Sequence, residues 1–73
     1  MARMEVRAEV TGTVWKIMVP AGARAEADEP ILIAESMKME IPVASERAGT
    51  VLELLVGEGD AVEDGQVVAI VET

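Results

Sequence analysis

Few side chains in this 73-residue sequence can do chemistry, and their types narrow the field at once. There is no Cys and no His. That removes disulfides and thiolate metal sites, and with them the commonest general base and the commonest metal ligand. A zinc site of carboxylates alone would be unusual. A carboxylate pair could serve hydrolysis, but nothing marks a cleft around Glu58, Asp60, Glu63 or Asp64. Those residues read as a solvated face, with Asp60 and Asp64 serving turns. Trp15, the one aromatic residue, reads as packing, and Lys16 reads as a solvated cation. Lys38 is set apart. It stands in Glu35-Ser36-Met37-Lys38-Met39-Glu40-Ile41-Pro42, flanked by two methionines at the middle of the chain. Amine chemistry at this lysine is what the residue types leave open.

The elements that must position Lys38 are written twice. Sliding the sequence by 37 residues aligns 12–35 (GTVWKIMVPAGARAEADEPILIAE) with 49–72 (GTVLELLVGEGDAVEDGQVVAIVE) without a gap. Identities include Gly12/Gly49, Thr13/Thr50, Val14/Val51, Val19/Val56, Gly22/Gly59, Glu26/Glu63 and Glu35/Glu72, and apolar pairs include Ile17/Leu54, Met18/Leu55, Ile31/Val68 and Ile33/Ile70. Internal repeats define architecture. Two copies, each too small to bury its own apolar face, predict one pseudo-twofold domain over 1–73. Its halves fall at about 6–35 and 43–72, and the joining hairpin at 36–42.

Each copy alternates apolar runs with turn residues. Gly-Thr-Val opens a run, Gly22 or Gly59 marks a turn where positive φ is cheap, and a short β-branched run follows. Asp64-Gly65 is a strong hairpin dipeptide; the first copy departs there, with Asp28-Glu29-Pro30. Many short strands at close turn spacing predict an all-β sandwich or flattened barrel. Strand alternation predicts a core of Val14, Val19, Ile31, Ile33, Val51, Leu54, Val56, Val62, Val68 and Ile70. Residues 31–41 carry good helix formers, yet the repeat aligns their start with the β-rich VVAIVE at 67–72. If both flanks are strands, the chain must reverse at Met37-Lys38, and neither residue is a usual tight-turn residue. A local rule broken at one place is where function or strain is to be sought.

Charge and hydropathy exclude several partners. The net charge of −8 repels nucleic-acid phosphates. No apolar run approaches the about 18 residues of a membrane-spanning helix, and MARMEVRAEV lacks the apolar stretch of a secretory signal. The expectation is a cytoplasmic protein without nucleic-acid or membrane partners.

The tip segment and the repeat together resemble the biotinyl/lipoyl carrier domain family. Glu35-Ser36-Met37-Lys38-Met39 is similar to its biotin-attachment signature Glu-Ala-Met-Lys-Met. The Gly-Thr-Val openings, Gly59-Asp60-Ala61-Val62, Asp64-Gly65-Gln66 and the closing Val-Ala-Ile-Val-Glu also match its pattern, so the resemblance covers nearly the whole chain. Ser36 departs from the usual Ala. Gly22-Ala23-Arg24-Ala25 departs from Gly-Asp-x-Val, which weakens a turn signal but leaves the attachment segment intact. The length is similar to that of stand-alone biotin/lipoyl attachment proteins.

The resemblance implies a flattened, pseudo-twofold β-barrel of two four-stranded antiparallel sheets, with the modified lysine at a hairpin tip. It implies biotin in amide linkage on Lys38, formed when the unprotonated amine attacks a biotinyl-adenylate. A free lysine amine is protonated at neutral pH, so the biotin protein ligase must supply the base. Glu35, Ser36, Met37 and Met39 would be the ligase's recognition residues, the methionines as soft, adaptable contacts. The implied function is a biotin carboxyl carrier without catalytic residues. It would move a carboxyl group between a biotin carboxylase and a carboxyltransferase by tethering the cofactor at high effective concentration. Two alternatives share the features. A lipoyl carrier would bear lipoate instead, although lipoyl tips usually read Asp-Lys-Ala. An unmodified interaction domain would use the tip to bind a partner.

Overall fold

A computed structural model describes residues 2–73. The chain forms eight strands: β1 (Arg3–Arg7), β2 (Gly12–Ile17), β3 (Arg24–Ala25), β4 (Pro30–Ser36), β5 (Met39–Ala44), β6 (Gly49–Leu54), β7 (Ala61–Val62) and β8 (Val67–Glu72). They build two four-stranded antiparallel sheets, ordered β1-β8-β6-β3 and β5-β4-β2-β7. This is the flattened β-barrel that the sequence implies. Adding 37 to β1, β2, β3 and β4 gives β5, β6, β7 and β8 to within one residue at either end, and it turns one sheet order into the other.

The pseudo-symmetry reaches individual hydrogen bonds. Gly22 N–H donates to Val51 O and Gly59 N–H to Val14 O, and each of these glycines has φ near 90°. Asp28 N–H donates to Ser45 O just as Gly65 N–H donates to Ala8 O. The Asp28-Glu29-Pro30 segment therefore does not depart from the repeat in shape. Asp28 takes the left-handed conformation (φ 63°) that Gly65 takes (φ 88°), and Asp is among the residues that tolerate it. The 31–41 segment is strand on both sides of its reversal, because pairing and burial outweigh its helical propensity.

Val14, Val19, Ile31, Val51, Val62 and Val68 are buried as expected, joined by Val6, Leu32, Val43, Val71 and the small residues Ala8, Ala25, Ala34 and Ala69. Four expected core residues are corrected. Leu54 and Val56 are half-buried at the core margin, and Ile33 and Ile70 are half-buried on the outward side. The cause is a register shift. Between Pro30 and Leu32 the β4–β5 pairing slips by one residue, so Ile31 and Leu32 are both buried and the alternation restarts one residue later. β8 repeats this at Val68 and Ala69. A one-residue slip turns every following side chain to the other face.

Trp15 lies outside the core, as the expected core list has it. It is the extra residue of a bulge in β2, since Val14 pairs with Ala34 and Lys16 with Ile33. The residue is 49% exposed. Leu52 is the extra residue at the matching place in β6.

Candidate functional site

β4 and β5 form a hairpin that closes on the Ser36–Met39 pair, leaving only Met37 and Lys38 to make the reversal. Both take the left-handed conformation, with φ of 52° and 66°. Two consecutive left-handed residues are the type I′ turn, whose twist matches the strands it joins. Its usual occupants are Asn and Gly, and a bulky residue held there costs of order 1–3 kcal/mol. The conformation is imposed by the flanking strands. Ala34 pairs with Ile41 on the inward side, and Glu35 pairs with Glu40 on the outward side. Burial of Ala34, Leu32 and Val43 fixes that register, and the register leaves two residues for the turn.

Two further contacts hold the base of the hairpin. Gly12 packs so closely on β4 that a Cβ there would strike the carbonyl oxygen of Glu35 and sit 3.2 Å from Ser36 Cβ. Ser36 Oγ donates to the carbonyl oxygen of Thr11 at 3.0 Å. Thr11 in turn accepts at its hydroxyl from Asp64 N–H, at 3.1 Å. The β1–β2 linker is thereby tied to both the hairpin and the Asp64-Gly65 turn.

The five residues singled out by the sequence are brought together. Lys38 is exposed at the outermost point of the turn. Met37 is 92% exposed and Met39 62%, an unusual outlay of apolar surface on a small domain. Glu35 is exposed on the outward face, directly across from Glu40. Opposed like charges on neighbouring strands are mildly destabilising. Ser36 is half-buried and turned toward Thr11. Among the described residues, ion pairs link Arg7 to Glu5 and Arg24 to Glu26, and none involves Lys38. Its amine is thus presented to solvent at the end of a two-residue turn, where an external enzyme could acylate it. Also among the described residues, no cluster of acidic side chains is arranged to hold a metal ion, and no helix is long and apolar enough to cross a membrane. A recess beside β1, lined by Met4, Arg7, Ser45 and Asp64, includes none of residues 35–39.

Sequence reasoning missed Thr11. The signal was available one step upstream of the aligned copies, where Thr11 stands against Ala48.

A family model described as "Biotin-requiring enzyme" matches residues 15–71. The biotin/lipoyl attachment protein of Bacillus subtilis (strain 168) is 44% identical over 64 residues, covering 88% of each chain. Kluyveromyces lactis urea carboxylase contains a region that superposes with a TM-score of 0.92 and 33% identity, covering 99% of this chain and 6% of that one. The lipoyl domain of the 2-oxoglutarate dehydrogenase complex from Azotobacter vinelandii superposes with a TM-score of 0.78 and 25% identity, covering 96% of each chain.

Proposed function

The chain belongs to the biotin/lipoyl attachment family, and from that premise we propose that it is a biotin carboxyl carrier modified on Lys38. In this role it carries no catalytic residue. Its partners are a biotin protein ligase, which loads it, and a biotin carboxylase and a carboxyltransferase, between which a carboxyl group is passed. Biotin, joined by an amide to Lys38 Nζ, supplies the chemistry of carboxyl transfer. The chain's own residues present that amide. The observation that carries the proposal is the strained, two-residue turn that holds Lys38, which joins none of the ion pairs among the described residues, between two exposed methionines.

Each tip residue has a part. The β4–β5 register holds Lys38 at the outermost point, where its long side chain extends free of the barrel. Met37 and Met39 offer apolar area that the fold does not use, available to the ligase or to a carboxylase. Glu35 supplies a negative charge on the outward face beside them. Acylation removes the Lys38 charge and takes the net charge from −8 to −9, so the loaded and unloaded chains differ electrostatically at the tip. A urea carboxylase with a superposable region supports the carboxylase setting, and we place the chain's work in the cytoplasm with its enzymes.

Lipoate is the second reading, favoured by the likeness to a lipoyl domain. Met-Lys-Met in place of Asp-Lys-Ala at the tip argues for biotin. Expression with a biotin ligase and excess biotin, followed by intact and fragment mass spectrometry, tests the choice. One biotinyl addition on Lys38 is expected. An unmodified mass under conditions that fully load a known biotin carrier overturns biotin, and addition by a lipoyl ligase in a parallel trial would then assign lipoate.

A further inference from the structure

The two halves of the barrel act as each other's control. Equivalent strands, turns and main-chain bonds recur at a spacing of 37, so a side-chain contact present in only one half is not needed to build the fold. The bonds made by Thr11 and Ser36 are of that kind. Thr11 corresponds to Ala48, which has no hydroxyl to accept from Ala27 N–H, the counterpart of Asp64 N–H. Ser36 corresponds to Thr73, whose Oγ1 donates across to Ala2 O at 3.4 Å instead of to residue 48. The doubly tied linker is therefore confined to the half that carries the Met37-Lys38 turn. In the other half the equivalent of the Ser36–Met39 pair is the Thr73–Ala2 pair, where Thr73 N–H donates to Ala2 O at 2.8 Å.

We propose that Ser36 and Thr11 are positioning residues for Lys38. The chain Asp64 N–H to Thr11 Oγ1, and Ser36 Oγ–H to Thr11 O, clamps the hairpin base and keeps two non-glycine residues left-handed. Strained backbone persists only where its surroundings over-determine it. The barrel supplies the strand register, and the clamp removes the remaining freedom at the last pair before the turn. Ser36 then acts on modification through the shape of the turn and not by touching the ligase. The part of the proposal that concerns loading rests on the biotin-carrier reading. The part that concerns the turn does not.

The consequence is quantitative. If releasing one hydrogen bond lowers the population of the presented turn, ligase affinity falls by the same fraction, while the rate at saturation holds. One neutral hydrogen bond corresponds to roughly a three- to ten-fold change.

The test uses the unmodified, isotope-labelled chain. Amide hydrogen exchange is measured at Met39, whose amide belongs to the pair that closes the turn, in wild type, S36A, T11V, S36T, T73A and the S36A/T11V double variant. Exchange should rise about three- to ten-fold in S36A and in T11V. It should stay near wild type in S36T, which keeps the hydroxyl, and in T73A, which alters the equivalent place in the other half. The double variant should be no faster than the faster single variant, because both substitutions open one clamp. With biotin ligase, KM should rise in S36A and T11V by the factor by which the presented turn is depopulated, never exceeding the exchange factor, with kcat within two-fold of wild type. Unchanged tip exchange in both S36A and T11V overturns the clamp, as does T73A loosening the tip equally. A raised KM in S36A with unchanged exchange would instead make Ser36 a direct ligase contact, which also overturns it. If wild type is not biotinylated at all, the carrier reading fails while the exchange series still decides the clamp.

Discussion

Replacing Met37 by Asn should make the protein more stable and worse at its work. Met37 sits at φ 52°, where a side chain with a Cβ costs about 1 kcal/mol or more and Asn is among the few residues at ease. Normally the gain from such a swap is offset by lost apolar burial. Here Met37 is 92% exposed, so at about 25 cal/mol per Å² the burial surrendered is negligible. The net gain is about 1 kcal/mol, which for a domain of this size raises Tm by about 4–8 °C. Thermal unfolding of the unmodified chain, followed by circular dichroism, measures it. Met37→Ala is the control: it sheds the same side chain but has no preference for the left-handed region, and its Tm should stay close to wild type. Loading by biotin ligase should move the other way, with a higher KM for M37N than for wild type. A Tm for M37N at or below the wild-type value would refute the reasoning, because the turn would then be at ease with its residues.

Lys38→Arg should abolish modification while leaving Tm within about 2 °C of wild type, since Lys38 has no ion-pair partner among the described residues; intact mass and a melt read both. Gly12→Ala and Gly49→Ala should each destabilise by about 2 kcal/mol, because the new Cβ meets the carbonyl of Glu35 or Glu72 across the sheet. Only the first should shift the backbone amide resonances of residues 35–39. Ile31→Ala should cost about 3 kcal/mol, and Ile33→Ala, two positions away on the half-exposed outward side, about 1 kcal/mol. Chemical denaturation checks that pair, and equal losses would show that the strand does not change parity at Leu32.

Much of this architecture is legible in the sequence because it is written twice. A shift of 37 residues locates every strand of one half from the other, and it overrides the helical propensity of 31–41, which a single copy could not have done. The bulges were hidden. Ile33 and Ile70 obey the alternation that any strand pattern suggests, and they face outward because one extra residue upstream flips the parity. Nothing in Ile31-Leu32-Ile33 distinguishes a regular strand from a bulged one, since all three are apolar. The exposure of Trp15 has a related cause: a large ring is ordinarily buried, but a bulge residue is placed by hydrogen-bond register before side-chain preference acts. At the site, the segment Glu35–Met39 could be located from residue types, whereas the contribution of Thr11 lies in a hydrogen bond between segments 25 residues apart.

The places where the two halves differ are therefore informative about use. Core positions pair like with like, as Ile31 with Val68, Val14 with Val51 and Val6 with Val43, because both sheets must pack the same interior. Turn positions also pair, even where Asp28 stands for Gly65. The halves diverge where one has a closed hairpin and the other pairs Ala2 with Thr73. There a bare Met-Lys-Met tip, an opposed Glu35–Glu40 pair and a hydroxyl tie at Thr11 are gathered within one hairpin and its support. The tip and the opposed pair are neutral or costly for stability: exposed methionines bury nothing, opposed carboxylates repel, and left-handed non-glycine residues are strained. Stability selects neither, so their common location with the tie that braces them is best explained by what the tip presents. Rigidity in the barrel and freedom in the Lys38 side chain are complementary. In the proposed role, a fixed tip would spare a partner the cost of ordering the backbone, and a long flexible side chain would let one attachment point reach more than one enzyme.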